Sequence, residues 1–259
     1  MRVVSTVPPR DEPRLGRMTL LHRARRVANS LGIEVRRLDD PKSFSSRRAA
    51  LMRRLAIDLV IDVGANQGQY AVSLRRAGYR GRIISFEPLL EAYVKLQTLA
   101  ATDPSWQCCR SALGAEPGTA AMSVAANLVS SSLLPIEPLH VAAAPESATV
   151  RTEEVAVARL DDEMETIDSG TRRMLLKLDV QGYEREVLTG AGHTLSSVFA
   201  LETELSTRPL YVGQSLWMEM VKVIEASGMR LHAIDEEFVD PRTGGALQLN
   251  ALFVRREQT

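Results

Sequence analysis

The run Val60-Ile61-Asp62-Val63-Gly64-Ala65-Asn66-Gln67-Gly68-Gln69-Tyr70, with Ile83-Ile84-Ser85-Phe86-Glu87-Pro88 after it, limits the architecture of this chain more than any other feature. Val60 to Val63 is apolar or β-branched at nearly every place, the pattern of a strand buried on both faces. It stops at glycines, where the chain must turn tightly. Gly64 and Gly68 lack Cβ atoms, so the backbone there is expected to approach a ligand closely. Glu87 closes the second apolar run and can accept hydrogen bonds from two ribose hydroxyls. Strand, glycine turn, strand and acid together predict a cofactor site; the plain alternative is a glycine turn beside a surface glutamate.

Spacing narrows the cofactor. A dinucleotide fingerprint requires Gly-x-Gly-x-x-Gly, so that a pyrophosphate can sit on the following helix. Here those three places hold Gly64, Asn66 and Gln69. The remaining pattern, Asp-x-Gly-x-x-x-Gly with an acid after the next strand, suits an adenosine without phosphate, as in S-adenosylmethionine. A nicotinamide-dependent oxidoreductase is the weaker alternative, because its pyrophosphate glycines are missing.

Further along stand Leu176-Lys177-Leu178-Asp179-Val180-Gln181-Gly182-Tyr183-Glu184 and Val187-Leu188-Thr189-Gly190-Ala191. With Asp62 to Gly68 and Ser85 to Pro88, these segments resemble the FkbM family of S-adenosylmethionine-dependent O-methyltransferases, over about Leu59 to Arg256. The resemblance implies a class I methyltransferase fold: a Rossmann-like, doubly wound, mostly parallel seven-stranded sheet with an antiparallel last strand. It also implies methylation of a hydroxyl on a secondary metabolite of polyketide type, a glycolipid or a polysaccharide sugar. Many members have Glu where Gln181 stands, so no role of that carboxylate carries over.

Composition is that of an ordinary globular protein, with 45% hydrophobic and 25% charged residues in 259. No apolar stretch is long enough to cross a membrane, and the first residues carry no signal-peptide core, so a cytoplasmic enzyme is expected. The two cysteines, Cys108 and Cys109, are adjacent, which suits neither a structural disulfide nor a zinc site.

A net charge of zero hides an asymmetry. Residues 1–56 carry 14 Lys and Arg against 5 Asp and Glu, and the remainder 18 against 27. The chain is therefore divided into a basic helical extension (1–56) and a catalytic domain (57–259). Arg17 to Gly32 reads as an amphipathic helix, and a second helix is expected over Phe44 to Leu55. The basic segment is either a solvated face packing on its own acidic domain or a contact for anionic lipid or an acidic protein surface. The acidic domain lacks the aromatic and basic stripe of a nucleic-acid reader, so no nucleic acid is expected. Oligomeric state, a homodimer included, is left open.

From Leu59 on, strand and helix signals alternate, as in a mostly parallel sheet covered on both faces. Strands are expected over Leu59 to Val63, Arg82 to Phe86, Trp106 to Ala112, Met174 to Leu178 and Phe199 to Leu201, with a closing pair at Met229 to Ile234 and Leu247 to Val254. The helix after the fourth strand is expected over Tyr183 to Thr194. Glu116 to Arg159, rich in proline and serine, reads as irregular: short strands, a lid facing the acceptor, or a surface insertion.

In open α/β sheets ligands lie beyond the carboxyl ends of the strands. The cofactor residues expected there are Asp62, Gly64, Ala65, Asn66, Gly68, Tyr70, Glu87 and Pro88, with Ser111 and Ala112 flanking the adenine. Asn66 is placed toward the methionine end and Tyr70 toward the sulfonium. A sugar hydroxyl must lose its proton during methyl transfer, which requires a base or a cation. Asp179 can take the proton directly, with Lys177 on the same strand face. Alternatively Asp179, Glu202 and Glu204 hold Mg²⁺, which acidifies the bound hydroxyl. Glu202 is thus a catalytic or metal candidate. His193 and His232 are lone histidines, better read as structural. A non-catalytic, cofactor-binding partner subunit is the remaining alternative.

Overall fold

The computed structural model describes residues 43–167 and 172–256. It opens on helix α1 (Phe44–Arg54), followed by β1 (Leu59–Val63), α2 (Gln69–Arg76), β2 (Arg82–Phe86), α3 (Leu90–Ala100) and β3 (Trp106–Cys109). The chain continues through β4 (Ala112–Leu113), β5 (Gly118–Ala125), α4 (Pro138–Ala143), β6 (Thr149–Ala158) and α5 (Leu160–Ile167). The last third holds β7 (Met174–Leu178), α6 (Glu184–Thr189), β8 (Val198–Ser206), α7 (Trp217–Ala226), β9 (Met229–Val239) and β10 (Ala246–Arg255).

Seven strands form the main sheet in the order β3-β2-β1-β7-β8-β10-β9. Strands β3, β2, β1, β7 and β8 run parallel, and β10 runs antiparallel to both β8 and β9. This is the expected doubly wound class I methyltransferase topology with an antiparallel last strand. Strand order reverses between β1 and β7, where Val63 pairs with Leu178. The two carboxyl ends open a crevice there.

Successive residues of each buried strand serve opposite faces. Ile61, Ile84 and Leu176 pack on one face with Leu160, Val187 and Ile224 of α5, α6 and α7. Val60, Ile83 and Leu175 pack on the other with Leu51, Leu74 and Leu96 of α1, α2 and α3. Each fully buried Leu or Ile contributes about 1.5–3 kcal/mol of transfer free energy, which explains why these runs show no polar alternation.

Four expectations are corrected. The compact unit starts at Phe44, not Ile57, because Phe44, Leu51 and Met52 of α1 are buried in the second core cluster. The amphipathic helix expected over Arg17 to Gly32 lies outside the described residues. The Glu116 to Arg159 stretch is more regular than its composition suggests: β5 and β6 pair antiparallel, and β4 joins β6 in a second, three-stranded sheet. The helix after β7 ends at Thr189 rather than Thr194, and Gly190, its C-cap, lies against the carbonyl of Gly114, where a Cβ would come within 2.0 Å. Finally, β8 runs to Ser206, so Glu202 and Glu204 are mid-strand rather than beyond its end.

Candidate functional site

The crevice between β1 and β7 holds a cavity of about 310 Å³. Its first wall is the β1–α2 turn. Gly64 (φ +75°), Asn66 (φ +47°) and Gly68 (φ +89°) all take left-handed backbone conformations, which glycine and asparagine tolerate best. Both glycines are required by the protein's own packing. A Cβ on Gly64 would lie 1.9 Å from the Asp179 carbonyl oxygen, and one on Gly68 2.9 Å from the Trp106 ring. Gly64 and Ala65 still line the cavity; Gly68 does not.

Glu87 closes this wall. Its Oε2 accepts from the Asn66 amide at 2.8 Å and its Oε1 from the Leu89 amide at 2.9 Å, so one carboxylate ties the exits of β1 and β2 together. Each oxygen keeps a lone pair for a ribose hydroxyl. Burial pushes the carboxyl up to about 7, against those two backbone bonds and the Lys177 charge. Pro88, Ser111 and Ala112 line the same region, and Asn66 Oδ1 is buried without a partner.

The floor is ionic. Lys177 Nζ lies 3.2 Å from Asp179 Oδ2, 3.3 Å from Asp62 Oδ1 and 3.3 Å from the Gly64 carbonyl. Burial opposes its charge, yet the two carboxylates outweigh burial and hold the ammonium above its ordinary value. Asp62 is 0% exposed. It is not a lining residue but a counter-charge below the cavity, which corrects its expected place among the cofactor contacts. Its own pKa is raised by burial, with Lys177 pulling the other way.

Glu202 is likewise not free for catalysis. Its Oε1 accepts from Arg48 Nη1 at 2.9 Å and its Oε2 from the Tyr70 hydroxyl at 2.8 Å. The Tyr70 ring lies 4.7 Å from the Arg48 guanidinium and 5.2 Å from Lys177 Nζ, so it packs between two cations. Burial, then Glu202, raises the Tyr70 pKa well above 10, so it stays neutral.

A further wall of the cavity is built around Gln181, which takes a left-handed conformation (φ +53°). Its Nε2 donates to Asp179 Oδ1 at 2.8 Å and to Glu204 Oε2 at 2.9 Å, and its Oε1 accepts from the Tyr211 hydroxyl at 2.7 Å. Gln248 donates to the same Glu204 oxygen at 3.2 Å. Burial, Asp179 and Glu184 raise the Glu204 pKa well above its ordinary value. Glu237, Asn250 and, from the second sheet's side, Met122 and Leu128 complete the wall.

The Mg²⁺ reading does not fit these donors. Asp179 is occupied by Lys177 and Gln181, Glu202 by Arg48 and Tyr70, and Glu204 by two amides. Among the described residues no group of three His, Cys, Asp or Glu is arranged to hold a metal ion. His193 and His232 are not in the cavity wall. An adenosine cofactor does fit, through the open acceptor capacity of Glu87.

Sequence reasoning missed Arg48, Glu237 and Asn250. A signal for Arg48 was present: it shares the spacing of Phe44, Leu51 and Met52, the buried stripe of α1. A lone arginine on an apolar stripe marks an internal partner.

Fold and site together define a class I S-adenosylmethionine-dependent methyltransferase. The model of the Methyltransferase FkbM domain matches residues 62–231, and the chain belongs to that family. No curated protein matches it. Among solved structures it is similar to Burkholderia thailandensis 1,6-didemethyltoxoflavin-N1-methyltransferase with bound 1,6-didemethyltoxoflavin and S-adenosylhomocysteine (10% identity, 97% of this chain, 94% of that one, TM-score 0.44). It is also similar to Aeropyrum pernix fibrillarin in complex with natively bound S-adenosyl-L-methionine (11% identity, 80% and 74%, TM-score 0.45). A third is a TehB-like methyltransferase from Corynebacterium glutamicum (13% identity, 92% and 97%, TM-score 0.39). Likeness of this degree carries nothing about the acceptor. No helix among the described residues is long and apolar enough to cross a membrane.

Proposed function

We propose that the protein methylates a hydroxyl of a sugar, in a glycolipid or polysaccharide, or of a polyketide-type secondary metabolite. The observation that carries this reading is the position of Asp179, one residue beyond β7 at the reversal of strand order. Its backbone lies against the glycine turn and its carboxylate lines the cavity. Gln181, Glu204, Glu237 and Asn250 beside it offer the mixed donors and acceptors that suit a polyhydroxyl acceptor.

When bound, the cofactor supplies a methyl group on a cationic sulfur. Transfer to oxygen requires alignment and removal of the hydroxyl proton. Asp179 accepts one bond on each oxygen, from Lys177 and Gln181, and retains lone pairs with which to take that proton. Lys177 is a positioning residue that donates to Asp179 and the Gly64 carbonyl and pairs ionically with Asp62.

Isothermal titration with S-adenosylmethionine and S-adenosylhomocysteine, with NAD as control, tests the cofactor. Release of S-adenosylhomocysteine is then followed across glycosides, glycolipids and polyketides. Asp179→Asn is expected to bind cofactor as wild type does and to lose turnover. Cofactor binding without turnover on any acceptor would instead favour a partner subunit.

A further inference from the structure

Among the described residues the cavity is lined by two cations, Lys177 and Arg48. Lys177 lies between two carboxylates, Asp179 at 3.2 Å and Asp62 at 3.3 Å, and donates to Asp179 and to the Gly64 carbonyl. Arg48 is different. Nη1 donates to Glu202 Oε1 at 2.9 Å, Nη2 reaches only Ser73 Oγ at 3.4 Å, and Nε has no partner. A guanidinium carries five N–H donors in a rigid fork, and leaving them unmade in a buried residue is costly. Arg48 is 8% exposed, so water does not readily take up the remainder.

The side chain is also held in place. The Tyr70 ring packs 4.7 Å from the guanidinium carbon, and Glu202 fixes one end of the fork. Nε is sealed away from the cavity, so the donors left for a ligand are the remaining hydrogens of Nη1 and Nη2, and this pre-oriented pair matches a carboxylate, the anion a planar guanidinium pairs with best. The cofactor of the preceding reading carries one carboxylate, at the end of its amino-acid tail. We propose that Arg48 binds that α-carboxylate, so that the cofactor lies with its ribose at Glu87 and its amino-acid tail at α1.

The inference rests on the cofactor reading and is tested separately from it. Isothermal titration of the full chain compares S-adenosylhomocysteine with 5′-methylthioadenosine, which keeps the adenosine and the sulfur but lacks the amino-acid tail. Arg48→Met is expected to weaken S-adenosylhomocysteine by about ten- to a hundredfold and 5′-methylthioadenosine by no more than about twofold. Arg48→Lys keeps the charge without the fork and falls between wild type and Arg48→Met.

Because Arg48→Met leaves Glu202 buried without its cation, Arg48→Met/Glu202→Gln is the companion variant. It is expected to recover thermal stability and not S-adenosylhomocysteine affinity. Three results overturn the proposal: equal weakening of both ligands, recovery of S-adenosylhomocysteine binding in the double variant, or a wild type that binds both ligands equally. A wild type that binds neither overturns the cofactor reading itself.

Discussion

The hydroxyl of Tyr211 lies 2.7 Å from the side-chain oxygen of Gln181 and 3.0 Å from the Ser130 carbonyl, and its one hydrogen serves these two acceptors. With its oxygen turned to Tyr211, the amide presents nitrogen to both Asp179 and Glu204. One NH₂ group thereby separates two carboxylates that would otherwise repel. Replacing Gln181 by Glu puts a third acid between them. The expected result is a loss of about 1–3 kcal/mol in stability at pH 8, shrinking as the solution is acidified, read by denaturant unfolding across pH.

Tyr211→Phe removes the hydroxyl from both Gln181 and the Ser130 carbonyl and leaves the ring. The cost is expected near 1 kcal/mol, with S-adenosylhomocysteine affinity unchanged and acceptor turnover reduced, because Tyr211 stands behind the acceptor side only. A fall in cofactor affinity as large as the fall in turnover would contradict this.

Glycine at 64 is required by contact as well as conformation. Gly64→Ala sets a Cβ 1.9 Å from a backbone oxygen at φ +75°, whereas Gly78→Ala, at φ +92°, meets nothing within 4 Å. Gly78→Ala should cost only the left-handed strain, about 1–2 kcal/mol, and Gly64→Ala about 4 kcal/mol or more, which thermal melts distinguish.

The Glu87 carboxyl, raised by burial to about 7, links cofactor affinity to pH. Ribose hydroxyls donate to the ionised form, so affinity is full above pH 7 and falls roughly tenfold per unit below it. Titrations from pH 8 to pH 5.5 should show this slope in wild type, and weak, flat binding in Glu87→Gln.

Glu184 governs stability in the same window. Burial pushes it from 4.5 to about 7, against bonds from its own amide, Gly182 and Val180. The folded state holds the proton more tightly than the unfolded one, so this contribution is complete below pH 4.5 and lost as pH rises through 7. Glu184→Gln should therefore melt higher than wild type at pH 8, and the gap should close by pH 5.

The sheet was readable wherever burial on both faces removes polar residues, as in Val60 to Val63, Ile83 to Phe86 and Leu175 to Leu178. The cofactor turn was readable because left-handed positions select glycine and asparagine. Glu202 and Glu204 look like the end of a strand, so sequence alone ends β8 at Leu201; only the fold brings Arg48, Gln181 and Gln248 to satisfy them. Strand β6 hid for a related reason. Thr149 to Ala158 is largely exposed and gains its order from β5, across a proline-rich interval. Asp62 read as a ligand contact because sequence places it beside the turn, while the pleat sends its side chain to Lys177.

Arg48 and Glu202 are 154 residues apart, and their pairing sets an order of events during synthesis. A chain growing from the ribosome displays the α1 guanidinium long before β8 emerges. The part of the cavity that Arg48 and Glu202 share is therefore complete only once β8 has emerged, and truncation before β8 leaves the first helix without its counter-charge.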